Sequence, residues 1–415
     1  MDWKDTPEQA AFRTEVRDFI RDEFPTGYEP DIESEQSLEP EDVWGYNWAV
    51  DVRSGDEARR QAAMDWARAL AGRGWVAPHW PQAYGGAGLG SIEEFILQEE
   101  MMRAQVPTVN GIGVFLLGPT LLEHGTDRQK AEHLPPIARG ERTWAQGFSE
   151  PGAGSDLASL RTRAGRDGDD YIVNGQKVWT SLANHADWLF VLVRTDPDAR
   201  KHRGITLLLI DAATPGVTIR PIEDIRGAEP FGEVFFEDVR VPVENRVGEE
   251  NRGWYAAMTT LTHERAGIGA TIKYEQALAG LIDFVGSDAG SDEGARFVRT
   301  DWGDSLRHEI ARRHTEIRVL ANLARYTVSK QAAGAVPEYE ASINQLFSAE
   351  LHQRLARTGA KVFGPYGGLW QRQGAPLGAA FTHLCFDSVA ATFLAGTSEI
   401  QRNVIATRGL GLPRQ

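Results

Sequence analysis

Apolar residues in the first third of the chain recur at helical spacing. Phe12, Val16, Phe19 and Ile20 share one face of a segment opened by Thr6-Pro7-Glu8-Gln9. There Thr6 can cap, Pro7 can take the first helical position and Gln9 can close a capping box. Helical spacing resumes over residues 57–70, again from Ser91 with Glu94 placed to complete a second capping box, and again around 119–124. Near Thr143 the pattern changes. Residues 171–173, then Asn174-Gly175, then 176–179 read as strand, turn and strand, since Asn-Gly is the preferred pair for a tight hairpin. Further strand-like runs at 188–193, 205–210, 217–220 and 233–236 are separated by Pro, Gly and Asp turns, which predicts a small antiparallel barrel or sandwich. After Gly253 helical runs return at 254–269, 306–331, 339–363 and 398–408. The expected order is α, β, α, an α+β chain with domains over 1–142, 143–252 and 253–415. Strands bunched in the middle argue against an alternating parallel sheet, and so against a dinucleotide-binding Rossmann unit.

Charge narrows the choice of partner. The chain has 415 residues with 44 basic and 59 acidic side chains, a formal charge of -15, whereas nucleic acid and anionic membranes demand clustered Lys and Arg. Seven of the acidic residues fall between positions 29 and 42 with Pro30 and Pro40 and no basic residue, which reads as a solvated connector. One cysteine, Cys385, excludes an internal disulfide framework and fits a reducing compartment, with the cytoplasm as default. The uncharged run 104–122 carries Gln105, Pro107, Asn110 and Pro119 and reads as a buried helix rather than a membrane span. The N-terminus lacks the basic and apolar regions of a signal peptide.

The glycine-rich stretches 84–90 and 150–156 lack the Lys-Ser/Thr ending of a phosphate loop and read as turns. Gly147-Phe148-Ser149-Glu150-Pro151 fails the nucleophile elbow because a proline replaces its second glycine. Ten histidines form no H-E-x-x-H and no zinc-type pair, so no metal site is expected. Trp179 stands out at a strand end beside Thr180 and Ser181, an indole wall with hydroxyl donors that suits a flat heteroaromatic ring.

Three long segments carry a specific resemblance. The run from Gln146 to Asp156 (QGFSEPGAGSD), the run from Tyr171 to Ser181 (YIVNGQKVWTS) and the run from Gly396 to Arg402 (GTSEIQR) resemble, in this order, the signatures of the acyl-CoA dehydrogenases. The resemblance implies a helical domain, a β-barrel and a four-helix bundle, with FAD between barrel and bundle and a neighbouring subunit completing the site. It implies FAD contacts from Gln146, Phe148, Ser149, Trp179, Thr180, Ser181, Thr397 and Glu399, and assigns Ser155, Arg265 and Gly396 to the acyl-CoA substrate. The implied chemistry is α,β-desaturation of the thioester. A carboxylate removes the α-proton while the β-hydrogen leaves as hydride to flavin N5, and donors stabilise the enolate-like oxygen.

The resemblance is imperfect in ways that bear on function. The family's usual base is a Glu immediately before Gly-Thr, where this chain has Ala395. A minority branch, similar to isovaleryl-CoA dehydrogenase, carries the base just before an Arg on another helix, and Thr262-His263-Glu264-Arg265 matches it, so Glu264 is the expected base. The family's Arg-x-Gln-Phe-Gly motif, which meets the partner subunit's FAD, is missing from residues 283–302, and Lys361 stands where a Gln-x-x-Gly-Gly motif often begins. The leading expectation is a dehydrogenase of a branched, cyclic or bulky acyl-CoA in lipid degradation by β-oxidation, passing electrons to an electron-transfer flavoprotein. Its assembly is a homotetramer or an α2β2 hetero-oligomer. A half-site or non-catalytic subunit of a hetero-oligomer, and a flavin oxidase on the same fold, compete with it.

Overall fold

The computed structural model describes residues 4–28, 47–263, 269–288, 304–337 and 339–413. The acidic stretch 29–42 and the expected base and its neighbour, Glu264 and Arg265, lie outside the described residues. The chain divides into two compact units, Met1–Glu264 and Arg265–Gln415.

In the first unit, helix α1 (Pro7–Glu23) starts as its sequence dictates. Thr6 Oγ1 accepts the Gln9 N–H and the Gln9 side chain accepts the Thr6 N–H. Helices α2 (Trp48–Asp51), α3 (Glu57–Gly72), α4 (Ser91–Arg103), α5 (Gly118–His124) and α6 (Asp127–Ala138) follow, with a π-helical turn at Ile112–Leu117 ahead of α5. Arg13 donates to Glu99 at 2.8 Å and to Glu100 at 2.5 Å, joining α1 to α4. The second capping box does not form where expected. Gly90, with no side chain to offer, is the cap of α4, and Glu94 instead lies 3.0 Å from His79. A second box does form at α6, between Thr126 and Gln129, and the Gln129 amide also donates to Glu244 and Arg246 carbonyls, tying helix to sheet.

The middle of the chain supplies β1 (Trp144–Gly147), β2 (Arg163–Asp167), β3 (Asp170–Ser181), β4 (Trp188–Arg194), β5 (Ile205–Asp211), β6 (Val217–Ile222), β7 (Phe231–Pro242) and β8 (Arg246–Val247). They form one sheet in the order β6-β7-β3-β2-β4-β5-β8, with β1 beside β4. Two expectations are corrected here. The sheet does not close into a barrel, because the end strands β6 and β8 do not pair and β8 offers only two residues. Nor is it wholly antiparallel, since β1 and β2 both run parallel to β4.

The expected hairpin at Asn174-Gly175 does not form either. β3 runs straight through this pair, and the turn lies earlier, at Gly168 between β2 and β3. Opposite Asn174, β7 carries an extra residue at Asp238, whose N–H donates to Asn174 Oδ1 while Asn174 Nδ2 donates to the Asp238 carboxylate. Asn174 therefore satisfies a β-bulge rather than a turn. Gly175 is required by its φ of 149° and because a Cβ there would sit 2.7 Å from the Thr162 backbone. Inward-facing Tyr171, Val173, Leu189, Val191, Leu208, Val234 and Phe236 form the core of this sheet.

Helix α7 (Gly253–His263) closes the first unit's described residues. The second unit is helical: α8 (Gly269–Asp288), α9 (Asp304–Ala332), α10 (Tyr339–Phe363), α11 (Ala380–Ala390) and α12 (Ser398–Val404). Tyr274, Leu278, Ile317, Leu351, Leu355 and Phe381 share its core. Among the described residues no helix is long and apolar enough to cross a membrane.

Candidate functional site

The site in the first unit is built on an irregularity of β3. Between Lys177 and Thr180 the pairing with β7 shifts by one residue, so β3 carries an extra residue there. Trp179 takes a φ of 60° and turns its indole outward, 59% exposed, between fully buried Lys177 and Thr180. A large residue in the left-handed region costs on the order of 1–3 kcal/mol, and such strain collects where function needs a side chain aimed. Phe231 braces the indole edge-on, with ring centroids 5.9 Å apart.

The segment after β1 lies against this stretch. Val178 N–H donates to the Ser149 carbonyl at 3.0 Å, and Phe148 packs edge-on to Phe190 of β4. The structure thus brings Phe148 and Ser149 beside the Trp179-Thr180-Ser181 segment. Gln146 lies two residues upstream on β1, its backbone opposite Phe190. Gln146 Nε2 and Thr180 Oγ1 are buried with no hydrogen-bond partner among the described residues. An unsatisfied buried polar group costs about 1–3 kcal/mol, and a ligand acceptor meeting the Thr180 hydroxyl, next to the exposed indole, or the Gln146 amide on β1 would remove that cost. Ser155 lies in the exposed loop that follows, beyond a tight turn in which Glu150 and Ala153 exchange backbone hydrogen bonds of 3.0 Å.

Glu264 and Arg265 lie outside the described residues, and the other expected residues, Gly396, Thr397 and Glu399, lie in the second unit. Ala395 and Gly396 both have positive φ, 51° and 96°, and Thr397 caps α12 by accepting the Ile400 N–H at 3.2 Å. The Thr397 hydroxyl is thus committed to the helix end in the protein alone. Glu399 is exposed in the first turn of α12. Gln401, which sequence reasoning missed, is buried and donates to the carbonyls of Ala395 and Gly396, holding that strained turn.

Two further residues were missed at the first site. Lys177 is fully buried, donating to the Phe148 carbonyl at 3.0 Å and to Glu150 Oε1 at 2.8 Å. The Glu150 carboxylate also accepts the Arg161 and Thr162 N–H groups, at 2.6 and 2.8 Å. Burial pulls the Lys177 ammonium down to about 8, with Glu150 partly offsetting it. Burial pushes the Glu150 carboxyl up, but Lys177 and Thr162 outweigh it and hold it below the usual carboxylate range. The signal was present: Lys177 shares strand parity with buried Tyr171 and Val173.

Models of the N-terminal, middle and C-terminal domains of acyl-CoA dehydrogenases match residues 48–141, 145–239 and 251–410. The chain belongs to the acyl-CoA dehydrogenase family. Acyl-CoA dehydrogenase IpdE1 of Mycobacterium tuberculosis is 38% identical over 361 residues, covering 84% of this chain and 88% of that protein. Acyl-CoA dehydrogenase FadE26 of the same organism is 38% identical over 355 residues, covering 82% and 86%. Among solved structures, the ChsE4-ChsE5 complex from M. tuberculosis matches with a TM-score of 0.82 at 34% identity over 100% of both chains. The Tcur3481-Tcur3483 steroid acyl-CoA dehydrogenase matches with 0.81 at 31%, also over 100% of both.

Acyl-CoA dehydrogenases are FAD flavoproteins that act on CH–CH groups. The first unit fits that cofactor. Gln146 Nε2 and the Thr180 hydroxyl can both donate, and the heteroaromatic ring edge of a flavin carries acceptors. Among the described residues no group of three or more His, Cys, Asp or Glu could hold a metal ion.

Proposed function

We propose that this chain desaturates a bulky, ring-bearing acyl-CoA between its α and β carbons, as a cytoplasmic step of lipid or sterol degradation, and delivers electrons to an electron-transfer flavoprotein. The observation that carries this reading is the buried, unpartnered Thr180 hydroxyl next to a strained and exposed Trp179, with the Gln146 amide on β1 likewise unpartnered, in a chain of this family. The chemistry FAD would supply, when bound, is acceptance of the β-hydrogen as hydride. Gln146, Phe148, Ser149, Trp179, Thr180 and Ser181 hold its ring, and Thr397 and Glu399 its adenosine half. Ser155, Arg265 and Gly396 hold the thioester arm. Glu264, immediately after α7, takes the α-proton, since Ala395 has no group that can.

Substrate size follows from the same exchange. Ala395 in place of a carboxylate removes side-chain volume where the family usually puts its base, which suits extra substituents at the reacting carbons. The likeness to the Tcur3481-Tcur3483 steroid acyl-CoA dehydrogenase supports a fused-ring substrate. Glu264→Gln tests the assignment: FAD and thioester still bind, and flavin reduction slows by about 10²–10⁴-fold, the scale of a lost acid–base group. A variant reducing at the wild-type rate means that another carboxylate is the base.

A second reading has its own support. The missing Arg-x-Gln-Phe-Gly motif, together with two-chain complexes among the matching structures, favours an α2β2 assembly in which this chain completes its FAD site with a different subunit. Gel filtration and FAD content of the chain alone, against co-expression with the product of a neighbouring gene, separate this from a homotetramer.

A further inference from the structure

We propose that Lys177 is a positioning residue, which through the Phe148 carbonyl and the Glu150 carboxylate locks the loop after β1 onto β3 and so fixes flavin-facing and substrate-facing residues in one register. The inference rests on the reading above for what the loop faces, but its geometry stands alone. Lys177 Nζ is wholly buried and reaches two points of the loop, 3.0 Å to Phe148 O and 2.8 Å to Glu150 Oε1. Glu150 gathers the loop's far end, accepting from Arg161 N and Thr162 N, while its own backbone closes the turn to Ala153. Val178 N–H holds Ser149 O from the same strand. The near end of residues 148–162 is therefore bonded directly to the Lys177 ammonium and the far end to it through Glu150, and that loop carries Ser149 and Ser155.

The location is informative. Lys177 stands at the start of the irregularity that turns Trp179 outward, and its aliphatic stem packs beside Gly147, whose added Cβ would lie 3.6 Å from Lys177 Cγ. A buried ion pair is weak evidence for stability, because well-packed uncharged residues often serve as well. What a single buried ammonium with two directed hydrogen bonds adds is geometry. A reacting group misplaced by an ångström can lose about 10²-fold in rate.

The test separates geometry from stability. Lys177→Met alone strands a buried carboxylate and is expected to lower the melting temperature. Adding Glu150→Gln removes the stranded charge and keeps an oxygen for one of the two backbone donors. Full-length protein, with FAD and any required partner subunit, is compared as wild type, single variant and double variant. We expect the double variant to melt above the single variant, since no charge is stranded. Its amides over residues 148–156 exchange with solvent faster, and flavin reduction at saturating thioester falls about 10–100-fold. Unchanged exchange in the double variant overturns the clamp whatever the activity. Faster exchange with a wild-type reduction rate overturns its positioning role. A wild-type holoprotein that no thioester reduces refutes the proposed function instead, and the exchange result still decides whether the clamp exists.

Discussion

At the scale of single residues, the site is marked by discomfort. Thr180 buries a hydroxyl that nothing among the described residues satisfies, and Trp179 holds a φ of 60°. Thr180→Val should therefore stabilise the FAD-free chain by about 1 kcal/mol while weakening FAD binding by about 5–10-fold, the effect of one hydrogen bond. Thermal melts with and without FAD, and a flavin fluorescence titration, check both signs. Unchanged FAD affinity would remove Thr180 from the site. Some of this was legible in the sequence, since Trp179, Thr180 and Ser181 stand at a strand end in a recognisable segment. Lys177 was readable too, by strand parity, but a lysine on a buried face is easily taken for a solvated one. Gln401 gave no such signal, because its role depends on the positive φ of Ala395 and Gly396, and Ala395 is not a residue from which that can be guessed.

At the scale of elements, helix ends and strand runs were set locally, whereas pairing was not. Thr6 and Gln9 announce α1 because both partners of the box lie within four residues. Asn174-Gly175 misleads because the same two residues that make a hairpin can satisfy a bulge, and only the partner strand, 64 positions later at Asp238, decides between them. The parallel pairing of β1 with β4 and the unpaired ends at β6 and β8 are likewise properties of strands distant in sequence. Gly175→Ala tests the bulge. A Cβ 2.7 Å from the Thr162 Cα, at a φ of 149°, should cost about 1–3 kcal/mol, read as a lower denaturant midpoint. A midpoint equal to wild type would mean that β3 shifts freely there.

At the scale of the whole molecule, two buried histidines make stability fall with acid. Burial pulls His133 to about 4, with Arg142 3.1 Å from its Nδ1, and His352 to about 3. In the unfolded chain both titrate near 6.5, so the unfolded state binds more protons between about 6.5 and 4. Stability present above that window is lost as pH falls through it, on the order of 3 kcal/mol per histidine. The melting temperature should fall steadily from pH 6.5 toward 4, and His133→Asn should flatten that slope. An identical slope in the variant would show that His133 is not held neutral. Family membership shows in the order of three segments along the chain, while partner and substrate do not, because they depend on surfaces that a single sequence leaves open.

The central claim is that this chain holds FAD and reduces it with a bulky acyl-CoA, with Glu264 as base. The most direct test is an anaerobic visible spectrum of the FAD-loaded protein, prepared with its partner subunit where one is required, before and after adding straight, branched and fused-ring acyl-CoAs. We expect the oxidised flavin band to bleach with the ring-bearing thioester and to persist on the same timescale in Glu264→Gln. A flavin that stays oxidised with every thioester, or bleaches equally fast in the variant, would contradict the account.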